Sequence, residues 1–91
     1  MLDKLLFMFY NTNNKKEIEV TDVMINHIKE HRARLDLTQE KLAEYVGVTR
    51  QTIISIEAGR YVPSSLLALK IARVFERPVE QIFQLKEANH E

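Results

Sequence analysis

The sequence predicts an all-α domain, a compact bundle of five short helices. Apolar residues make up 45% of the 91 residues, which is enough for one small core. They recur at helical spacing through most of residues 24–83. The chain has only two glycines and two prolines, and so few helix-breaking residues are typical of helices joined by short connections.

The first helix is predicted to begin after Asn26, a residue type that caps helix starts. It should continue to about Leu35, with Ile28, Ala33 and Leu35 turned toward the core. Asp36 follows the helix. An aspartate enters the left-handed conformation at modest cost, so we expect Asp36 to end the helix in that conformation.

Residues 38–59, TQEKLAEYVGVTRQTIISIEAG, are typical of two short helices joined by a tight turn. Thr38 and Thr49 can each cap one of these helices with a hydroxyl group. Gly47 lies where the chain must leave the helix that Thr38 caps, at positive φ, and Gly59 ends the helix that Thr49 caps. The residues expected to form the buried stripes are Leu42, Ala43, Val46, Ile53 and Ile56.

The second of these helices carries hydrogen-bonding side chains on its outer face, namely Arg50, Gln51, Thr52 and Ser55. Arginine can pair with guanine, glutamine with adenine, and threonine or serine with either base. A helix-turn-helix presents such a face to the major groove of DNA. The alternative is a solvated polar face on an ordinary helical hairpin. Ile54 should lie near this outer face, either against a thymine methyl group or simply exposed.

Two further helices are predicted. Ser64 is the expected cap of a fourth helix that runs to about Phe75. Pro78 opens a last short helix over residues 79–83. The following residues, 83–86, can continue extended and pair with residues 23–25 in a small two-stranded β-ribbon.

Residues 32–64 resemble the lambda-repressor-like, Cro/XRE family of helix-turn-helix regulators. The residues that carry this resemblance are R-x-x-x-x-L-T-Q-E-K-L-A-E-Y-V-G-V-T-R-Q-T-I-x-x-I-E-x-G-R-Y-x-P-S. The resemblance extends from about residue 24 to about residue 85 and implies a lambda-repressor-like DNA-binding domain. It implies base reading by Thr49, Arg50, Gln51, Thr52 and Ser55. It implies phosphate contacts from Thr38, Gln39, Arg60 and Tyr61. It also implies a structural salt bridge between Arg32 and Glu57, which joins the first helix to the end of the reading helix.

The resemblance places the DNA-binding domain at residues 23–86. Residues 1–22 form an N-terminal extension, with an apolar patch over residues 1–10 and a polar linker after it. The patch is open to three interpretations: a short helix covering a surface, a dimer contact, or a frayed end. Residues 87–91 are expected to be a frayed tail.

The composition excludes several classes of function. The formal net charge is zero, so affinity for DNA should rest on a few well-placed contacts and on dimerisation. There is no cysteine and therefore no disulfide or thiol chemistry. The longest apolar run, residues 5–10, is too short to span a bilayer, so we expect a cytoplasmic protein without a membrane partner.

Residues 27–31, HIKEH, match the H-x-x-E-H pattern of a group of zinc proteases. A catalytic site would need a third ligand and a cleft, and the only other histidine, His90, lies in the predicted tail. We therefore interpret His27 and His31 as surface residues of the first helix. The sequence offers no nucleophile–base pair and no phosphate loop, so we expect no catalytic residue, no metal, no cofactor and no enzymatic activity.

These observations predict a transcriptional regulator, a repressor that occupies a palindromic operator in double-stranded DNA as a homodimer. The helix over residues 49–58 would enter the major groove, and the segment around Phe83 and Leu85 would hold the dimer. The alternative is an interaction module of the antitoxin type, which neutralises a partner toxin and autoregulates its operon. The sequence does not identify any such protein partner.

Overall fold

The computed structural model describes residues 10–11, 16–17 and 22–87 of the chain. Two short strands, β1 (Tyr10–Asn11) and β2 (Lys16–Glu17), pair antiparallel. From residue 22 onward the elements are β3 (Asp22–Asn26), α1 (Ile28–Leu35), α2 (Gln39–Val46), α3 (Arg50–Glu57), α4 (Ser65–Phe75), a turn of 3₁₀ helix (Val79–Gln81) and β4 (Phe83–Glu87). The predicted apolar patch, apart from Tyr10, and residues 88–91 lie outside the described residues.

The core lies where the four α-helices meet. Both stripes predicted for α2 and α3 are buried. The fourth helix buries Leu67, Ile71, Ala72 and Phe75. The largest fully buried side chains are Phe75, Ile28, Leu42, Ile53, Ile56, Ile71 and Ile82. None of the helices in residues 22–87 is long and apolar enough to cross a membrane.

The predicted caps set the starts of three helices. Thr38, Thr49 and Ser64 each accept the backbone N–H of the residue three positions on, at 2.9, 3.2 and 3.1 Å. At the other ends, Gly47 and Asp36 adopt the left-handed conformation that the sequence predicts, with φ of 78° and 58°. These local signals fix where α2, α3 and α4 begin and where α1 and α2 end.

The first helix differs from the prediction in which side chains it buries. Ile28 is fully buried, but Ala33 and Leu35 are exposed, so their predicted inward orientation was wrong. Ala33 lies five positions after Ile28, which places it about 140° around the helix. Leu35 is the last residue of the helix and is 40% exposed. Arg32 takes the half-buried position instead.

The predicted fifth helix is only a turn of 3₁₀ helix, so the five-helix bundle was not confirmed. Ile82 closes the core, and β4 begins directly after it at Phe83. Pairing with β3 requires extended backbone from Phe83 onward, which ends the helical conformation. The structure thus has four α-helices in its described part, together with the predicted ribbon.

The ribbon pairs β3 and β4 antiparallel, with Met24 opposite Leu85. It extends one residue beyond each end of the predicted domain, from Asp22 to Glu87. At its base the backbone N–H of His27 donates to the carbonyl oxygen of Ile82 at 2.8 Å. The ribbon is therefore joined to the helices where β3 passes into α1.

Candidate nucleic-acid interface

The outer face of α3 carries the side chains predicted to read bases. Ile53 and Ile56 fix the orientation of the helix by entering the core. Arg50 and Gln51 are consequently exposed, while Thr52 and Ser55 are half-buried on the same outer side. The hydroxyl groups of Thr49 and Thr52 lie 3.0 Å apart and hydrogen-bond to each other.

A concave surface beside α3 brings base-reading and phosphate-binding candidates together. Gly59, with φ of 80°, reverses the chain after the helix. The backbone N–H of Arg60 then donates to the carbonyl oxygen of Ser55 at 2.9 Å, which holds the returning segment against α3. The side chains lining this surface are Thr49, Gln51, Thr52, Ser55, Arg60 and Tyr61.

A second concave surface lies between the starts of α2 and α3. It is lined by Arg32, Thr38, Gln39, Glu40 and Arg50. The Thr38 oxygen accepts the capping bond and leaves its O–H proton available as a donor. The first backbone N–H groups of α2 have no partner within the helix. This surface therefore offers uncharged donors next to the guanidinium group of Arg50.

The side chain of Gln39 has a role that the sequence did not predict. Its Nε2 donates to Oε1 of Glu57 at 3.1 Å, and the residue is half-buried. One amide N–H is thus used inside the protein, which leaves the second N–H and the backbone N–H for an external acceptor. Gln39 joins the start of α2 to the end of α3.

Arg32 and Glu57, expected to pair, are brought together by the fold. Nε of Arg32 donates to Oε2 of Glu57 at 2.7 Å, and Nη2 donates to Oε1 at 3.2 Å. The two side chains are only 15% and 11% exposed. The third guanidinium nitrogen, Nη1, donates to the carbonyl oxygen of Leu37 at 2.9 Å. A bidentate pair in this environment fixes orientation as well as adding stability.

Asn26 also contacts α3, and the sequence predicted only its effect on α1. Its Nδ2 donates to the carbonyl oxygen of Ile56 at 3.0 Å, across 30 positions of the chain. Its Oδ1 accepts the backbone N–H of Ile28 at 3.2 Å, a bond two positions along the chain that is typical of an Asx turn. The cap position of α1 is His27, so the prediction that Asn26 is the cap was wrong by one residue. The long-range bond had no signal in the sequence, because capping alone accounts for an asparagine at a helix start.

Ile54 is half-buried and does not project freely from the outer face of α3. It lines a groove between α1 and α3 together with Lys29, Ala33 and Ala58. The side chain therefore lies on the α1 side of the reading helix, away from the surface that contains Gln51 and Ser55.

The two histidines of the HIKEH segment lie on α1 and its start but have different partners. His27 lies 3.4 Å from a carboxylate oxygen of Glu30 and 3.1 Å from the side-chain oxygen of Gln84. The bonds to Gln84 and Glu30 raise the pKa of His27. His31 stacks on the ring of Phe75, with ring centroids 5.3 Å apart. These contacts attach α1 to β4 and α4.

The sequence is similar to those of known helix-turn-helix proteins. A family model described as "Helix-turn-helix" matches residues 28–82. The uncharacterized HTH-type transcriptional regulator YgzD of Bacillus subtilis is 58% identical over 66 residues, covering 72% of this chain and all of that protein. An uncharacterized HTH-type transcriptional regulator of Methanothermobacter thermautotrophicus is 62% identical over 61 residues, covering 66% of this chain and 88% of that protein.

A solved structure shows the same fold. The crystal structure of a putative DNA-binding protein from Bacteroides fragilis superposes with a TM-score of 0.63 at 27% identity. The superposition covers 68% of this chain and all of that one.

Proposed function

Because the chain belongs to the Cro/XRE-type helix-turn-helix family of DNA-binding transcription regulators, we propose that it is a repressor. In this proposal two copies occupy a palindromic operator, and each inserts α3 into the major groove. The observation that carries the proposal is the pair of concave surfaces that meet at the start of α3. One contains base-reading candidates beside Arg60 and Tyr61, and the other contains Arg50 beside the start of α2.

Base reading falls to the exposed start of α3. Arg50 pairs with guanine and Gln51 with adenine, since each side chain can make two hydrogen bonds to its base. Thr49, Thr52 and Ser55 supply shorter hydroxyl contacts from the same face. Because the protein leaves Arg50 and Gln51 exposed, their polar groups remain available to DNA.

Phosphate binding falls to the residues on either side of these readers. Thr38 and the backbone N–H of Gln39 provide donors at the start of α2, where the helix dipole also favours an anion. Arg60 and Tyr61 provide donors from the segment after α3, and Tyr61 is 47% exposed. Three of these four residues donate without a positive charge, so we expect a shallow dependence of affinity on salt.

Assembly falls to the β3–β4 ribbon. A single domain of this size covers one half-site, and one module rarely reaches the affinity that a regulator needs. Phe83 packs against the core, whereas Leu85 is 72% exposed on the ribbon face that it shares with its cross-strand neighbour Met24. Val23 is 49% exposed but lies opposite Lys86, on the other face of the ribbon. An apolar surface on the ribbon, outside the helix-turn-helix, is suited to a two-fold contact that leaves α3 free.

Selection of bound fragments from random DNA tests the proposal. We expect enrichment of an inverted repeat whose half-sites are about 34–36 Å apart, one turn of DNA. Light scattering without DNA should show a dimer that Leu85→Asp dissociates. The matched control is Ser65→Asp, which introduces the same charge at an exposed position of α4 outside the ribbon and should remain dimeric. Absence of any enriched sequence, or a wild type that stays monomeric at tens of micromolar, contradicts the proposal.

A further inference from the structure

Asn26 connects three elements of the fold through one side chain. It is the last residue of β3 and is half-buried. Its Oδ1 accepts the N–H of Ile28 at the start of α1. Its Nδ2 faces the end of α3, with the carbonyl oxygens of Ile56 at 3.0 Å and Glu57 at 3.5 Å. The amide therefore lies at the junction of the ribbon, the first helix and the reading helix.

An amide suits this junction because it both donates and accepts. The start of α1 presents an N–H group that needs an acceptor. The end of α3 presents carbonyl oxygens that can accept a side-chain donor, and that of Ile56 does so in addition to the backbone N–H of Gly59. Asparagine meets both needs when its oxygen points to α1 and its nitrogen to α3. Aspartate meets only the first, since a carboxylate cannot donate.

The contact of Asn26 with α3 differs in kind from that of Arg32. Arg32 and Gln39 hold the side chain of Glu57 from α1 and α2. Asn26 holds the backbone of the same helical turn from β3. Asn26 thereby ties the reading helix directly to the ribbon that we propose as the assembly surface.

We infer that Asn26 is a positioning residue for DNA recognition, which fixes the end of α3 relative to the ribbon and so sets how α3 enters the groove. The inference rests on the proposed function. The helix is short, about 12 Å, so a tilt of about 5° about its anchored end moves the other end by about 1 Å. A displacement of that size exceeds the roughly 0.5 Å within which a recognition geometry must be held.

The first test needs no DNA. In the full chain, Asn26→Asp keeps the shape and the acceptor for Ile28 but removes the donor to α3. We expect amide hydrogen exchange at Gly59 and Arg60, which close the end of α3, to become about tenfold faster. Exchange at Arg77, which closes α4, should change much less. Equal increases in exchange at the ends of α3 and α4 would show that Asn26 does not selectively hold the end of α3.

The control variant is Ser64→Ala, which removes the hydroxyl cap of α4 and leaves the end of α3 untouched. It should lower the melting temperature without a selective change at Gly59 and Arg60. If Asn26→Asp does not fold, Asn26→Ser takes its place, because a serine can still accept the N–H of Ile28 but is too short to reach α3.

The second test uses the operator selected from random DNA and an unrelated duplex at matched salt. We expect Asn26→Asp to reduce the ratio of the two affinities about tenfold, while Ser64→Ala leaves it unchanged. The affinity for the unrelated duplex reports any effect of the added charge, and the ratio removes it. Faster exchange with an unchanged ratio overturns the positioning role. If the wild type shows no preference for the selected operator, both the proposed function and the positioning role of Asn26 are wrong. The exchange data then still show whether Asn26 stabilises the end of α3.

Discussion

The two ends of α3 are built differently. At its start, Arg50 and Gln51 are exposed, and their side chains extend from the fold. At its end, the side chain of Glu57 is 11% exposed and is held by Arg32 and Gln39. One helix of eight residues therefore has a free end and an anchored end.

The difference separates two kinds of contribution. Polar groups at the anchored end are satisfied inside the protein, so removing one leaves another buried group without its partner. The side chains of Arg50 and Gln51 at the free end are exposed to water, so removing one costs the fold little and costs a DNA complex a specific contact. Substitutions at the two ends should accordingly affect different measurements.

The largest effect is expected from Glu57→Ala. It leaves the 15%-exposed Arg32 without its carboxylate partner. We expect the free energy of unfolding to fall by about 3 kcal/mol, the lower limit for breaking a buried pair, because some exposure remains. Thermal or denaturant unfolding measures it. A substitution of Arg50 or Gln51 that destabilises the fold more than Glu57→Ala would show that the end of α3 is not the anchored one.

A double-mutant cycle shows whether the loss belongs to the pair. Arg32→Ala, Glu57→Ala and the double variant should give losses that are not additive, since the double variant removes both charges together. Strictly additive losses would mean that the two side chains do not stabilise each other in solution.

The next effect concerns the free end. Arg50→Ala and Gln51→Ala should each lower affinity for the selected operator by about 1–3 kcal/mol and relax base choice at one position per half-site. Their free energies of unfolding should change by less than about 0.5 kcal/mol. Binding at matched salt and melting curves measure both quantities. Wild-type affinity in Arg50→Ala would remove this residue from the readers.

Gln39→Ala is expected to affect both stability, as substitutions at the anchored end do, and DNA affinity, as substitutions at the free end do. Its side chain donates to Glu57, so the fold should lose about 1 kcal/mol, the usual net value of a hydrogen bond. The substitution also removes the second amide N–H of the side chain, and because a phosphate contact carries no base information, any loss of affinity should be the same for the operator and for unrelated DNA. A change in the preferred base would make Gln39 a reader and contradict the phosphate role.

The smallest effect is expected at His27, which follows Asn26 in the sequence and should make the stability of the fold depend on pH. Hydrogen bonds to Gln84 and Glu30 raise its pKa in the folded state. The added stability is therefore fully present below the ordinary value of about 6.5 and is lost as the pH rises through the folded value. His27→Gln should lower the melting temperature more at about pH 5 than at about pH 8.

Keeping the pH above about 5 avoids titration of Glu30, whose pKa is lowered by its own backbone N–H and by His27. An equal melting difference between wild type and His27→Gln at both pH values would show that protonation of His27 does not strengthen its contacts with Gln84 and Glu30.

The elements of the helix-turn-helix were predictable because their signals are local. A hydroxyl cap such as Thr38 acts on a backbone N–H three positions away, and Gly47 ends a helix by its own conformation. The buried stripe of a helix is set by spacing within a few turns. The ribbon was predictable for a similar reason, since the sequence placed extended segments at both ends of the domain.

The length of the last helix and the inner face of α1 depended on contacts that no local pattern contains. The turn at Val79–Gln81 stops because Phe83 pairs with Asn26, 57 positions earlier in the sequence. Arg32 takes the half-buried position on α1 because Glu57 lies opposite it. Both outcomes follow from which elements the fold brings side by side.

Local residue patterns were enough to predict the helix-turn-helix, the caps of α2, α3 and α4, and the family to which the chain belongs. That Gln39 donates to Glu57 and Asn26 to Ile56 depends instead on how the helices pack. An amide side chain can serve equally well as a cap, a phosphate donor or an internal bridge. Which of these it serves depends on the groups that the folded backbone places within about 3 Å of it, a distance that sequence spacing does not define.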